Sequence, residues 1–430
     1  MMPRKALDNA TNTELMQLLS LRFAQQVAAS SGGTSTGSTV PATGTAGDLF
    51  LHTPTGRKIL LIFDGVNWVP LASVGTITMY VDNTDGTDAI DKGGAVDSGA
   101  FKTVQYAVNQ CPPVLTGSVT INLNAETFAE DVRLEGKTFL GSAAGMFFDI
   151  VGTLTLTQGG NTATGGAAGA GATLPNVTDA GLTANAWNNQ LLKFTNGAND
   201  GIYRVIDNNT IGQINLVGDV LPAAPINLDT YEIYDWGTTL RSLAAVNFTP
   251  QLRLYNINFN ATTGESTVGI CKCTLYGTRL KITSGATSPS FGYMSTSSGY
   301  IELITSLFLQ SSNPYMHPVR ALYAGEMVLV NTKIVSSSTG PGITGDNNSF
   351  VIVYACVIAG GATPSGGNGI NAIGACDVPI GASTVDTIIR DFTAGIYAAN
   401  HGCVTGTANV TYSGNTADEV PTAASYGYID

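Results

Sequence analysis

The chain is short of charge, of long apolar runs, of cysteine and of histidine. Charged residues make up 12% of its 430 residues, and 19 lysines and arginines face 31 aspartates and glutamates, a formal net charge of −12. Phosphate backbones are held by clustered Lys and Arg, so no nucleic-acid partner is expected. No apolar run reaches the roughly 18 residues of a spanning helix, so no membrane insertion is expected. The opening MMPRKALDNATNTELMQLL puts polar residues where a secretory leader carries its apolar core, which predicts synthesis in a cytoplasm without export by the usual route. The six cysteines, Cys111, Cys271, Cys273, Cys356, Cys376 and Cys403, include no CxxC pair, so neither a disulfide scaffold nor a zinc site is expected. His52, His317 and His401 have no Ser or Cys partner that the sequence could place nearby, so nucleophilic catalysis has no support. EGKT at 135–138 ends like a phosphate loop, but Asp131 stands where its first Gly belongs. DNTDGTDAID, with Asp82, Asp85, Asp88 and Asp91, lacks the spacing and closing Glu of a calcium loop and reads as a solvated turn. No metal or cofactor is expected.

Glycine is plentiful, at 51 residues, and hydrophobic residues reach 43%. Turn formers with β-branched residues and little charge predict an all-β protein. Along the chain, Thr13–Ala29 has a helical stripe of Met16, Leu19, Phe23 and Val27 with Thr13 as N-cap. Residues 30–47 read as a flexible Gly/Ser/Thr linker. Residues 48–75 read as a small β-meander with turns at PTGR and DGVN. A strand ending at Val81 leads through an Asp/Gly loop to a helix near Phe101–Gln110, stopped by Pro112 and Pro113. Residues 176–236 read as an inserted antiparallel module.

From residue 237 to 412 the chain repeats itself. Small or turn-forming residues at Asn256, Gly277, Thr305, Asn331, Ala355, Ala375 and Gly402 recur every 20 to 28 residues. Two positions earlier stand Leu254, Leu275, Leu303, Leu329, Val353, Ile373 and Asn400. The parity of the apolar residues flips at each anchor, as it does at a corner between two strands of one coil. Columns of like residues without helices are the mark of a parallel β-solenoid, whose coils bury their apolar faces by stacking. Cys356, Cys376 and Cys403 fall in a column otherwise held by Thr and Ser and read as free core thiols. Asn400 and Thr405 break their columns, which predicts fraying there and a tail at 413–430.

The segment MYVDNTDGTDAIDKGGAVDSGAFKTVQYAVNQCPP, followed by SVTINLNAETFAEDVRLEGKTF, resembles the start of right-handed parallel β-helix proteins, above all bacteriophage tailspikes and the wider pectin-lyase-like group. Residues 186–235 are similar to a β-module inserted in some phage proteins, and GDLFLHTPTGRKILLIFDGVNWVPL resembles modules near the N-terminus of phage fibres. The resemblance covers most of residues 48–410. It implies a right-handed parallel β-helix, with a capping helix and first coils at 76–175 and the main helix at 237–412. It implies a homotrimer in the virion, on a phage tail, made in the host cytoplasm and touching host surface polysaccharide. Residues 1–47 would anchor the virion, and residues 1–75 would meet tail or portal/adaptor proteins. Some relatives cleave the glycan and others only bind it.

Cleavage needs paired carboxyl groups for hydrolysis, or a base beside a neutralised uronate for elimination. The acids available on the coils are Glu302, Glu326, Asp346 and Asp377. No outward column holds two neighbouring carboxylates. One outward column reads Tyr255, Tyr276, Ile304, Val330 and Tyr354, with Val328 and Ile352 beside it. That apolar outer face predicts either a contact between copies of the chain or an aromatic platform for sugar rings.

Overall fold

The computed structural model describes residues 35–430, apart from 141–144, 167–173, 180, 227–228, 261–265, 285–290, 297, 311–316, 337–339, 361–364, 382–385 and 422–426. The expected helix at 13–29 lies outside the described residues. The chain forms a parallel β-solenoid with a helical cap and small antiparallel sheets. Each coil contributes a strand to each of three sheets. One coil runs Gln251–Tyr255, Ile257–Phe259 and Ser266–Cys271, and the next begins at Thr274. The first sheet has eleven strands, from Ile77–Val81 to Tyr428–Ile429. The second and third sheets share the strand Thr238–Val246, which pairs through its first half with Ile257–Phe259 and through its second half with Ser266–Cys271.

Two corners turn each coil, and both place residues in the left-handed region, where Asn is tolerated best after Gly. The first corner holds Asn256, Arg279, Thr305, Asn331 and Ala355, at φ between 45° and 60°. The second holds Lys272, Ser298, Ala324, Asn348 and Ala375 at φ between 53° and 64°, with Asn400 (53°) and His401 (67°) in the coil that follows. Stacked hydrogen bonds keep the columns apart: Asn331 N donates to Tyr354 O, and Ala375 N to Asn400 O. Three of the expected anchors are therefore displaced. Gly277 lies inside a strand opposite Leu254, and its corner is Arg279. Ala375 and Gly402 belong to the second corner. Both corners favour small or polar residues, so the sequence pattern merged them.

Inward positions of the first sheet, among them Leu254, Leu303, Met327, Leu329, Val351 and Val353, are fully buried in one continuous core. The six thiols are free. Cys356 stacks with Ser306, Thr332 and Thr387 through successive backbone bonds, whereas Cys376 sits at the second corner, so the three cysteines do not share a column. Nor does the solenoid fray. Cys403–Thr405, Val410–Ser413, Ala417–Pro421 and Tyr428–Ile429 all add parallel strands, which removes the expected tail.

The helix Val104–Gln110 closes the N-terminal end of the core with Val104, Ala107 and Val108. Thr103 accepts from Tyr106 N, and the Glu130 carboxylate accepts from Val104 N and Gln105 N at 2.7 and 2.8 Å. Glu130 thus satisfies donors that a helix start leaves unpaired. The meander strands Leu49–His52, Ile59–Phe63 and Trp68–Ser73 are antiparallel, as expected. The linker expectation fails in part: Ser35–Gly37 pairs with Phe50–His52, and Trp68 donates from Nε1 to Pro41 O at 2.8 Å.

The inserted module is a closed six-stranded antiparallel barrel that begins at Leu154 and ends at Trp236. It replaces a first-corner loop. Its ends are held together, since Thr153 N donates to Thr238 Oγ1 and Gly237 N donates to Thr153 O. The barrel has its own core around Phe194, Ile206, Tyr231 and Ile233. Its Leu191, Val205, Val217 and Trp236 pack on Leu307, Val357 and Ile388, covering the outside of the second sheet. At the centre of this contact Asp207 meets Lys333 Nζ at 3.1 Å and Arg390 Nη2 at 2.8 Å, with the Asp207 side chain 1% exposed.

Burial works against the Asp207 charge, but Lys333 and Arg390 outweigh it and hold the carboxyl below the usual carboxylate range. A depressed folded pKa gives stability that is present above the unfolded value, about 3.9, and lost as pH falls through the folded one. Acidification below about pH 4 is therefore expected to loosen the docked barrel. In a Trp68→Phe/Trp187→Phe background, Trp236 fluorescence should report that step, and Asp207→Asn should abolish its pH dependence. Asp207→Ala, which leaves Lys333 buried without its partner, should cost about 3–5 kcal/mol in denaturant unfolding.

Candidate functional site

The outer face of the first sheet is where the candidate residues gather. Its strands are in register, so outward side chains form three columns, each stepping about 4.8 Å per coil. Nearest the second corner runs Tyr300, Glu326, Phe350, Asp377, Cys403 and then Tyr428. The middle column runs Arg253, Tyr276, Glu302, Val328 and Ile352. Nearest the first corner, beside the barrel, run Tyr255, Thr278, Ile304, Val330 and Tyr354. Glu326 and Asp377 are exposed, and the apolar members from Ile304 to Tyr354 are half-buried.

Tyr276 is thus two positions from where the repeat pattern placed it. It neighbours Arg253 and Glu302, not Tyr255 and Ile304. The Tyr276 and Tyr300 rings lie 5.9 Å apart at 56°, and Tyr300 OH donates to Glu302 Oε2 at 3.0 Å. Burial, that hydrogen bond and the Glu302 charge push the Tyr300 phenol up, so it stays a donor at neutral pH. Tyr300 and Phe350 escaped notice in the sequence. Their signal is the first outward position of each front strand, five residues before the corners at Thr305 and Ala355.

Glu302 and Glu326 are diagonal neighbours. One strand step and two residues along separate their Cα atoms by about 8 Å. Glu326 and Asp377 flank Phe350 in one column, about 9.6 Å apart. Asp346 is elsewhere: it ends the strand Ile343–Asp346 of the third sheet and pairs with Arg320 at 3.2 Å. The Arg253 guanidinium is engaged by both Asp149 oxygens, at 2.7 and 2.6 Å, and lies 3.6 Å over the Phe147 ring. In the N-terminal loop, Asp82, Asp85 and Asp97 bring ligand atoms within 4.8 Å of one another. Asp82 Oδ1 accepts from Thr84 N and Asp85 N, and Asp88 accepts from Lys102 N and Thr103 N, so these acids brace the loop.

No family model matches the chain, and no curated protein does. Three solved structures are similar over most of it. The tailspike protein gp49 from Pseudomonas phage LKA1 shows 11% identity and a TM-score of 0.22, over 82% of this chain and 54% of that one. The Pseudomonas phage phi297 tailspike gp61 shows 10% and 0.20, over 73% and 66%. The gp54 tailspike of Acinetobacter baumannii bacteriophage AP22, solved with an A. baumannii capsular saccharide, shows 11% and 0.22, over 71% and 60%. This chain therefore spans between about half and two thirds of their length. Nothing about this chain's ligand follows from likeness at that level. The parallel solenoid with its helical cap is the fold that the tailspike resemblance implied.

The Tyr354 ring packs closely against Gly381 of the next coil: a Cβ there would sit 1.6 Å from its Cε1. Gly381→Ala should displace the ring at a cost of about 1–3 kcal/mol. Thermal unfolding should show the loss, and Tyr354→Ala added to it should restore most of it.

Proposed function

We propose that this chain is a phage tailspike or tail fibre, a structural virion protein that assembles as a homotrimer and recognises a host surface polysaccharide. The observation that carries the reading is the division of the front face. Its half beside the barrel is apolar, at Val328, Val330, Ile352 and Tyr354. Its opposite edge alternates rings and acids, at Tyr300, Glu326, Phe350 and Asp377. β-Branched residues on an outer sheet face favour a protein contact, because each exposed Val or Ile forgoes up to about 1.5–3 kcal/mol of burial. A threefold axis would close that contact without leaving a surface free to polymerise. Rings beside acids favour saccharide, whose C–H faces cover aromatic rings while its hydroxyls donate to carboxylates. Tyr255 and Tyr276 extend the same face toward the N-terminal coils.

Residues 1–75 are proposed as the segment that meets tail or portal/adaptor proteins. Deleting residues 1–34, short of the first paired strand, should leave folding and assembly of the remainder intact. It should abolish incorporation into virions in a complementation assay. Loss of trimers on that deletion would move the anchor into the assembly core.

A second reading is glycan cleavage, favoured by the diagonal placing of Glu302 and Glu326 on one outward face, since hydrolysis needs two carboxyl groups flanking one bond. Incubation with host polysaccharide, followed for reducing ends and for unsaturated uronate absorbance, separates hydrolysis, elimination and binding alone.

The seam is tested by Val330→Glu together with Ile352→Glu. The expected product is β-rich by circular dichroism but monomeric or aggregating in light scattering. A stable trimer from this double variant would place the contact elsewhere and give the whole face to sugar.

A further inference from the structure

We infer that the saccharide taken by this edge is uncharged or amino-bearing, and that the face turns away polyuronates and other anionic chains. The inference rests on the glycan reading of the front face and adds the charge class of its ligand.

From Thr274–Thr278 through Cys403–Thr405, no outward position of the front strands is Lys or Arg, and the charged side chains there are Glu302, Glu326 and Asp377. The nearest cations are engaged or marginal. Arg253 is clamped by Asp149, and Arg320 is paired with Asp346 on the third sheet. Arg279 turns to the barrel, where it donates to Asn256 Oδ1 and stacks 4.4 Å from the centre of the Tyr203 ring. Lys272 and His401 stand at the second corner, at the rim.

A chain laid along the solenoid axis would meet rings and acids in alternation. Neutral hydroxyls gain charge-assisted hydrogen bonds from such acids, and an ammonium gains more. A uronate carboxylate some 6 Å from one of the acids is disfavoured about threefold at the dielectric of water, so three such encounters amount to roughly thirtyfold at low salt. Salt screens this repulsion. Elimination beside a uronate also needs a positive neutraliser, which this face lacks among the described residues. Any cleavage here would therefore be hydrolysis.

The test uses the full chain and three hexasaccharides: galacturonate, N-acetylglucosamine and glucosamine. Binding is read by saturation-transfer NMR and titration at 20 and 300 mM salt. The expected result is transfer to the neutral and amino hexamers that is lost in Tyr300→Ala/Phe350→Ala. The galacturonate hexamer should stay silent at low salt and gain at least tenfold in affinity for Glu302→Gln/Glu326→Gln/Asp377→Asn. Glu326→Gln alone, at an exposed position, should move the same way by about threefold. Tyr300-dependent binding of galacturonate to the unaltered protein would overturn the inference. So would a triple variant, folded by circular dichroism, that gains nothing. If no hexamer binds either protein, the glycan reading of the face falls, and the inference with it.

Discussion

Everything in this protein depends on the parallel stacking of coils about 4.8 Å apart. A single coil exposes its apolar side chains above and below, so only its neighbours can bury them. Leu254, Leu303, Leu329 and Val353 have no core without one another, and they are fully buried only because successive strands are in register. The same register that stacks the inside also stacks the outside. Columns of outward side chains are thus a by-product of core formation, and the front face inherits a spacing it did not have to evolve separately.

The barrel shows how such a scaffold takes an insertion. It leaves and re-enters at one corner, where Thr153 and Thr238 are hydrogen-bonded, so the coils on either side keep their pairing. It then lies across the second sheet and buries Asp207 with Lys333 and Arg390. A buried carboxylate is tolerable there because two cations and their hydrogen bonds replace the lost water. The barrel covers the second sheet, and the half-buried apolar face of the first sheet lies beside it. Assembly and recognition are proposed on that face.

On the front face the two halves differ in what they can give a partner. The apolar half offers burial and no direction. The acid-and-ring edge offers direction through Glu302, which the Tyr300 hydroxyl orients, and through exposed Glu326 and Asp377. Rigid strands hold these groups, so little ordering entropy opposes a ligand that matches their spacing.

Much of the fold was legible in the residues. The 20 to 28 residue recurrence implied a solenoid, the AFKTVQYAV segment implied a capping helix, and alternation within MVLV and VIVY separated inside from outside. The helix segment and the alternation are local, because each depends on a residue and its neighbours a few positions away, and the recurrence needs only the chain compared with itself. The linker could not be read the same way, since the parallel pairing of Ser35–Gly37 with Phe50–His52 is a contact across a crossover segment that composition does not encode. Nor could the placing of Ala375 and Gly402. Two corners per coil accept the same small or polar residues at positive φ, and only backbone pairing tells them apart. The candidate site suffered from this same ambiguity. A two-residue shift at Gly277 carries Tyr276 from one column to the next, beside Glu302 and in ring contact with Tyr300. Sequence alone thus determined which residues face outward, because alternation along a strand is a property of the chain. Which of them become neighbours was decided by the tertiary structure, because the register between coils is set by the length of every loop between them.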